Sequence, residues 1–487
     1  MKIIAAPDSF KGSLSAVEAA AAIARGVRRA LPQADVIEVP VADGGEGTLS
    51  CLLAATGGQR VEAEVTGPMG KPVHATYGLL GRAEYESQDE SRKQDSGEDA
   101  HRNPDTGENY GGSLVAYGEG DLGENANRSL GAVGNHNGSL ASCGEDDLGE
   151  DAQARLGEGW GVDDEQPVAA EMTGHVANRS GIAVVEMAEA SGLMLVPLHD
   201  RNPLLASTYG TGQLLRHALD AGCRQFVLAL GGSATNDGGA GMLQALGMKL
   251  LGHEGKPIAE GIGGGSLIDI AAIDDSEFDS RIAESRFIIA TDVGSPFVGP
   301  NGASQVFGPQ KGADPAMVQQ LEEGMTAWAD LIAGKTGVSL HELPGAGAAG
   351  GLGGAFLAFF PAAVRRGIDV IMDYTGLRRQ LDGAALVLVG EGRMDGQTAA
   401  GKAPMGVALE AKRLGIPAIA LAGSVGSGIE PLYDAGIVSA HSIVNGPMSL
   451  EEAMSRTAEL LEQAAEQVVR TFAANRPSSS SLPTQTN

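Results

Sequence analysis

Cysteine is scarce in this sequence. Cys51, Cys143 and Cys223 are the only three, and no two stand at a CxxC spacing. A disulfide framework and a cysteine-built zinc site are therefore not expected. Basic residues are few, with 34 Lys and Arg against 62 Asp and Glu and a formal net charge of −28. No basic patch stands out, so the electrostatic footprint of a nucleic-acid binder is missing. An acidic surface also disfavours anionic membranes. No apolar run approaches the ~18 residues of a membrane span. The opening MKIIAAPDSF reaches an Asp before it gathers the apolar length of a signal peptide. A reducing cytoplasm is the expected home. The nine histidines are scattered, and no nucleophile elbow or Cys/His pair is present.

Glycine, in contrast, is abundant: 72 of 487 residues, roughly twice the usual share. Short apolar runs recur among the glycines. They are KIIAAPDS, RQFVLALGGS, RFIIATDV, ALVLVGEG and PAIALAGS. Continuous runs of this length predict strands buried on both faces of a parallel sheet. Helical patterns lie between them, such as the segment from Ser15, where Ser15 and Glu18 form a capping box. The alternation predicts an α/β fold. Ligands of open α/β sheets bind beyond the carboxyl ends of the strands, where the polar residues of these runs fall.

Residues 84–180 differ. They hold 22 Asp and Glu against 6 Lys and Arg, a net charge of −16, and few large apolar residues. GEDA, GENA and GEDA recur at Gly97, Gly123 and Gly149, each 26 residues apart. This acidic, low-complexity repeat cannot bury a core and is expected to be disordered. The alternatives are a small repeat module with its own partner, or calcium binding, for which the acids lack the usual spacing. The tail 475–487 is also expected to be disordered.

Several loops carry residues suited to chemistry. After the first strand come Asp8, Ser9, Lys11 and Ser13, ahead of a helix whose N–H groups suit an anion. Asp43 and Glu46 share a loop with three glycines. Gly231, Gly232, Ser233 and Thr235 follow a strand, where backbone amides and hydroxyls can cradle phosphates, and Asp237 can take a proton or a metal. Asp292 ends another strand and is followed by a Gly/Pro loop with Lys311. Gly345–Gly350 reads GxGxxG, a dinucleotide pattern with no convincing strand before it. Glu391, Arg393 and Asp395 end the ALVLV strand. Gly396–Lys402 resembles a phosphate-binding loop, but Ala403 stands where Ser or Thr would bind Mg²⁺. Glycines, hydroxyls, Lys/Arg and lone carboxylates at strand ends fit phosphoryl transfer.

Seven segments in order resemble the bacterial glycerate kinase family, type 1: PDSFKGSLSA, VPVADGGEGT, TGPMGKPV, RNPLLASTYGTGQL, GGSATNDGGAGMLQALG, TDVGSPFVGPNGA and VGEGRMDGQTAAGKAP. The resemblance covers nearly all of residues 1–82 and 181–470. It implies two α/β domains around a cleft, a discontinuous one of residues 1–64 and 290–474 and a middle one of residues 65–289. It implies transfer of the ATP γ-phosphate to D-glycerate, with Mg²⁺, giving 2-phosphoglycerate. The 3-phosphate, or another small hydroxy acid as acceptor, stays an alternative. The acidic repeat departs from the family pattern.

On this basis Asp395, then Asp237, is the expected proton acceptor, and Lys11 and Arg393 neutralise charge. Ser9, Ser13, Gly231, Gly232, Ser233, Thr235 and Lys402 are expected at the nucleotide. Asp8, Asp43 and Glu46 are expected at the substrate, and Asp292 and Glu391 at the metal. The chain is expected to act as a monomer or homodimer. The rivals are an NAD-linked dehydrogenase using Gly345–Gly350 and a partner-binding protein acting through the repeat.

Overall fold

The computed structural model describes residues 1–81, 181–399 and 401–474. The acidic repeat and the tail, with the expectations attached to them, lie outside the described residues.

The five apolar runs all form strands. KIIAAP is β1 (Lys2–Pro7), and β2 is Asp35–Glu38. A hairpin follows, β3 (Gln59–Thr66) and β4 (Pro72–Leu79), then β5 (Ile182–Glu186) and β6 (Gln225–Ala229). A small antiparallel pair, β7 (Lys249–Gly252) and β8 (Ile270–Asp274), precedes β9 (Arg286–Ala290) and β10 (Ala362–Arg365). The last three are β11 (Leu386–Met394), β12 (Ala418–Val425) and β13 (Ile437–Ser442).

One sheet has the order β13-β12-β11-β1-β2 and is parallel throughout. Its central strands are the most apolar, because helices cover both faces. The other has the order β10-β9-β6-β5-β4-β3. Its first four strands are parallel, while β4 and β3 run antiparallel, a hairpin that the apolar runs did not announce. Sheet membership does not follow the boundaries expected near residues 64 and 290. Residues 59–66 and 362–365 both belong to the six-stranded sheet, the latter paired with β9.

A shared apolar layer joins the sheets. Ile4, Val387 and Val389 of one cluster with Val184, Val227 and Ile288 of the other, together with helices Thr48–Thr56, Gly367–Thr375 and Ala403–Arg413. On the outer side of the first sheet, helices Ala16–Ala30 and Thr457–Ala474 pack against each other. They cross so closely that a Cβ on Gly26 would stand 2.2 Å from the Glu462 carbonyl oxygen. The capping box is present: Ser15 accepts from the Glu18 N–H and Glu18 accepts from the Ser15 N–H. Around Trp328, Phe226, Phe287 and Phe356 lies the core of the second sheet.

Candidate active site

Strands β1 and β11 are neighbours, and their carboxyl ends carry the polar residues of the first and last motifs. The Asp8 N–H donates to the Gly390 carbonyl (2.8 Å), which extends the pairing one residue past β1. The chain then folds into a tight turn. Phe10 and Leu14 pair backbone to backbone, and the Ser13 hydroxyl donates to the Phe10 carbonyl (2.9 Å). Gly392 lies against this turn, where a Cβ would already touch the Lys11 nitrogen at 3.5 Å. The N–H groups expected to face an anion at the start of helix Ala16–Ala30 are partly engaged by the capping box, so Lys11 is the cationic element here.

Beyond β11 the chain is wired to itself. The Asp395 N–H donates to the Thr398 hydroxyl (3.2 Å), which donates to Glu391 Oε1 (2.5 Å). Asp395 Oδ1 accepts from the Gln397 N–H (2.9 Å) and Oδ2 from Arg393 Nε (2.9 Å). Lys402 stands just before helix Ala403–Arg413. This is a strand-end carboxylate network rather than a phosphate-binding loop.

A cavity of about 690 Å³ opens between these ends. Asp8, Ser9, Lys11, Ser13, Asp43, Glu391, Arg393, Asp395 and Lys402 all line it. Nine of the expected residues, from three separate loops, are thus brought together. Four carboxylates face three cations, a near-balance that stands out in a chain of net charge −28. A second cavity of about 380 Å³ shares Ser9, Lys11 and Ser13 with the first and adds Glu46, Glu186 and Glu189. Lys11 therefore stands at the junction of the two.

Burial governs the carboxylates. Asp8 is 4% exposed, and its carboxyl is pushed up to about 7, first by burial and next by Asp43. One of its oxygens accepts from the Ser9 N–H (2.6 Å). Glu391 is raised by burial, against the pull of Thr398 and Lys402. Asp395 is held below its ordinary value, chiefly by the Gln397 N–H, with Arg393 adding to it. Asp292 is pushed up to about 7 by burial and by Asp43. Its Oδ1 accepts from the Gly367 N–H (3.0 Å), while Oδ2 is buried without a hydrogen-bond partner. Asp292 is near enough to feel the charge of Asp43 but lines neither cavity.

The glycine-rich segment from Gly231 lies outside these two cavities: Gly231, Gly232, Ser233, Thr235 and Asp237 line neither. A Cβ on Gly231 would stand 2.4 Å from the Gly45 Cα, and Ser233 pairs with Gly192. The Thr235 carbonyl accepts from the buried Lys311 amine (2.7 Å). Asp237 is fully buried and holds four donors: the Thr208 N–H and hydroxyl and the N–H groups of Gly239 and Gly241. Here the glycines allow backbone to approach backbone, and the segment braces the loop of Asp43.

The GxGxxG segment is used in the same way. Cβ atoms on Gly347 and Gly350 would lie 2.1 and 2.0 Å from the carbonyl oxygens of Pro296 and Thr235. Residues 346–356 are buried. Protein, not a pyrophosphate, fills the space around it, which removes the ground for a dehydrogenase.

A sequence profile of the glycerate kinase family matches residues 3–114 and 146–473. The chain belongs to the glycerate kinase family. It is 40% identical over 466 residues to a glycerate kinase of Halalkalibacterium halodurans, covering 96% of this chain and 97% of that one. It is 35% identical over 473 residues to glycerate 2-kinase of Escherichia coli K12, covering 97% and 98%. It also resembles the crystal structure of a Salmonella typhimurium LT2 protein assigned as glycerate kinase 2. That match has a TM-score of 0.68 and 37% identity, and covers 97% of this chain and 98% of that one. The profile match leaves out residues 115–145, inside the acidic repeat.

Two features of the site escaped the sequence reading. Glu186 is the last residue of β5, as Asp8 is the first after β1, and accepts from the Leu49 N–H (2.6 Å) at the start of helix Thr48–Thr56. The strand-end rule that selected Asp8 selects it too. The other is the stretch 443–460, which forms one wall of the larger cavity. It follows β13, whose IVSAHS is not a continuous apolar run, so its Asn445-Gly446-Pro447 segment does not read as the edge of a site.

Proposed function

We propose that the chain transfers the γ-phosphoryl group of ATP to the C2 hydroxyl of D-glycerate, releasing ADP and 2-phosphoglycerate. The observation that carries this reading is the convergence of Lys11, Arg393 and Lys402 with buried carboxylates in one cavity, in a chain of this family. Lys11 and Lys402 offset the charge of the transferring phosphoryl group. Arg393 is largely exposed, with 72% of its side chain accessible, and its planar fork suits the glycerate carboxylate.

Asp8 suits the proton acceptor better than Asp395. Both oxygens of Asp395 are engaged, by Gln397 and Arg393, whereas one oxygen of Asp8 is held by the Ser9 N–H. A base with a spare oxygen takes the hydroxyl proton as the oxygen–phosphorus bond forms. Asp395 orients Arg393. Asp237 is engaged by its four donors, outside the cavity.

Mg²⁺ fits the site. Among the described residues no three ligating side chains converge on one point, but Mg²⁺ characteristically takes one or two carboxylates and fills its shell with water and phosphate oxygens. Asp43 and Asp292 supply hard oxygens, and Asp292 Oδ2 is buried without a partner. They would hold the ion, which neutralises phosphate charge. Glu391, with Oε1 taken by Thr398, positions Lys402.

The enzyme acts in the cytoplasm, as a monomer or homodimer, without nucleic acid or membrane. No helix among the described residues is long and apolar enough to cross a membrane. ADP release measured across small hydroxy acids tests the activity. Glycerate is expected to give the highest kcat/KM, with no change in NADH absorbance. No ADP release with glycerate would refute it.

A further inference from the structure

The larger cavity has two unlike ends. At one stand Lys11, Arg393 and Lys402 with the carboxylates. At the other, the chain between β13 and helix Thr457–Ala474 contributes Ile443, Val444, Met448, Leu450 and Met454, which face Phe10. Phe10 and Ile443 are buried in the adjoining core, with Met448 packed against it. Leu450 and Met454 are 77% and 36% exposed. Two large apolar side chains left open beside a cavity call for a partner. Met454 is also tied to the charged end. Its Cε lies 3.2 Å from where a Cβ on Gly12 would stand, so it reaches over the turn that carries Lys11.

An occupant of the whole cavity must have an apolar face at one end and anionic groups at the other. Glycerate has no apolar face and is far smaller than about 690 Å³. A purine nucleoside triphosphate has both parts, and cavities of this size commonly hold ligands of that class. Methionine suits a flat ring, because its flexible, polarizable chain adapts to an aromatic face.

We propose that the purine ring of the nucleotide packs against Phe10, Met448, Leu450 and Met454, with its phosphates running toward Lys11 and Lys402. This assigns the base end of the site and rests on the reading of the chain as an ATP-dependent kinase.

The test uses the full-length protein with ¹³C-labelled methionine methyl groups. Met448→Leu and Met454→Leu assign the two signals. ADP is expected to shift both, and D-glycerate alone to shift neither. Saturating ADP that leaves both unmoved overturns the proposal. Kinetics give a second readout. Met454→Glu is expected to raise KM for ATP about tenfold by removing apolar contact. KM for glycerate is expected to stay within about twofold. An unchanged KM for ATP also overturns it. The two readings fail separately. Shifted methionines without glycerate-dependent ADP release would remove the acceptor and leave the base pocket standing. Glycerate turnover with unmoved methionines would do the reverse.

Discussion

Asp8 and Asp395 line the same cavity but differ in what holds them. Asp395 is partly exposed, salt-bridged to Arg393 and capped by the Gln397 N–H. Asp8 is buried beside Asp43 and Lys11. A carboxylate stabilised by an arginine and a backbone donor is a poor base, while one raised by burial is poised near neutral pH. Asp8→Asn is therefore expected to lower kcat by about 10²–10⁴, the usual range for a lost general base. Asp395→Asn leaves Arg393 without its partner. It is expected to act mainly on KM for glycerate, with kcat reduced less than about tenfold. Steady-state kinetics of the two variants decide the assignment. An Asp395→Asn enzyme that loses kcat while Asp8→Asn keeps it would reverse the roles.

At the scale of the element, Glu186 joins β5 of one sheet to the helix Thr48–Thr56, which packs in the layer shared with the other. Burial pushes its carboxyl up to about 7, with the Leu49 N–H opposing the shift. The sign follows. The folded state holds the proton more tightly than the unfolded chain, so this group lowers stability as pH rises from about 4.5 to about 7. Glu186→Gln removes that loss. The variant is expected to gain on the wild type between pH 5 and pH 8, by at most about 3 kcal/mol for a shift of this size. Thermal unfolding at the two pH values checks it, and a difference in Tm that is flat with pH would contradict the linkage.

The same scale shows what the sequence made legible. Each of the five apolar runs became a strand because a parallel sheet covered on both faces needs continuous apolar residues. Asp8, Asp43, Glu391 and Asp395 converge because parallel strands point their carboxyl ends the same way. Glycine was the ambiguous signal. Around Gly231 and Gly347 it serves close backbone packing, and composition alone does not distinguish a neighbouring carbonyl from a ligand phosphate. The hairpin β3–β4 alternates instead, with Val61, Ala63 and Val65 on one strand and Val73, Ala75, Tyr77 and Leu79 on the other, a period that a search for continuous apolar runs passes over. Met448, Leu450 and Met454 gain their place only through the tertiary fold.

For the whole molecule, the acidic repeat raises the sharpest question. Its flanks are already neighbours: β4 and β5 are antiparallel, with Leu79 opposite Ala183 and the Leu80 N–H donating to the Ile182 carbonyl (3.0 Å). The repeat thus joins two strands that a short turn could connect, and lengthening a loop costs only about 0.6 kcal/mol per doubling. Replacing residues 84–180 by a short glycine-rich turn is expected to leave folding and glycerate turnover within about twofold of the full chain, since the loop closes either way. A deletion that folds but loses turnover would give the repeat a part in catalysis. The central claim, phosphoryl transfer to the glycerate C2 oxygen, is tested most directly by ³¹P–¹H correlated NMR of the products of ATP and D-glycerate. The account predicts a phosphorus signal coupled to the single C2 proton, together with ADP. Coupling to the C3 methylene protons, or no new phosphate ester at all, would contradict it.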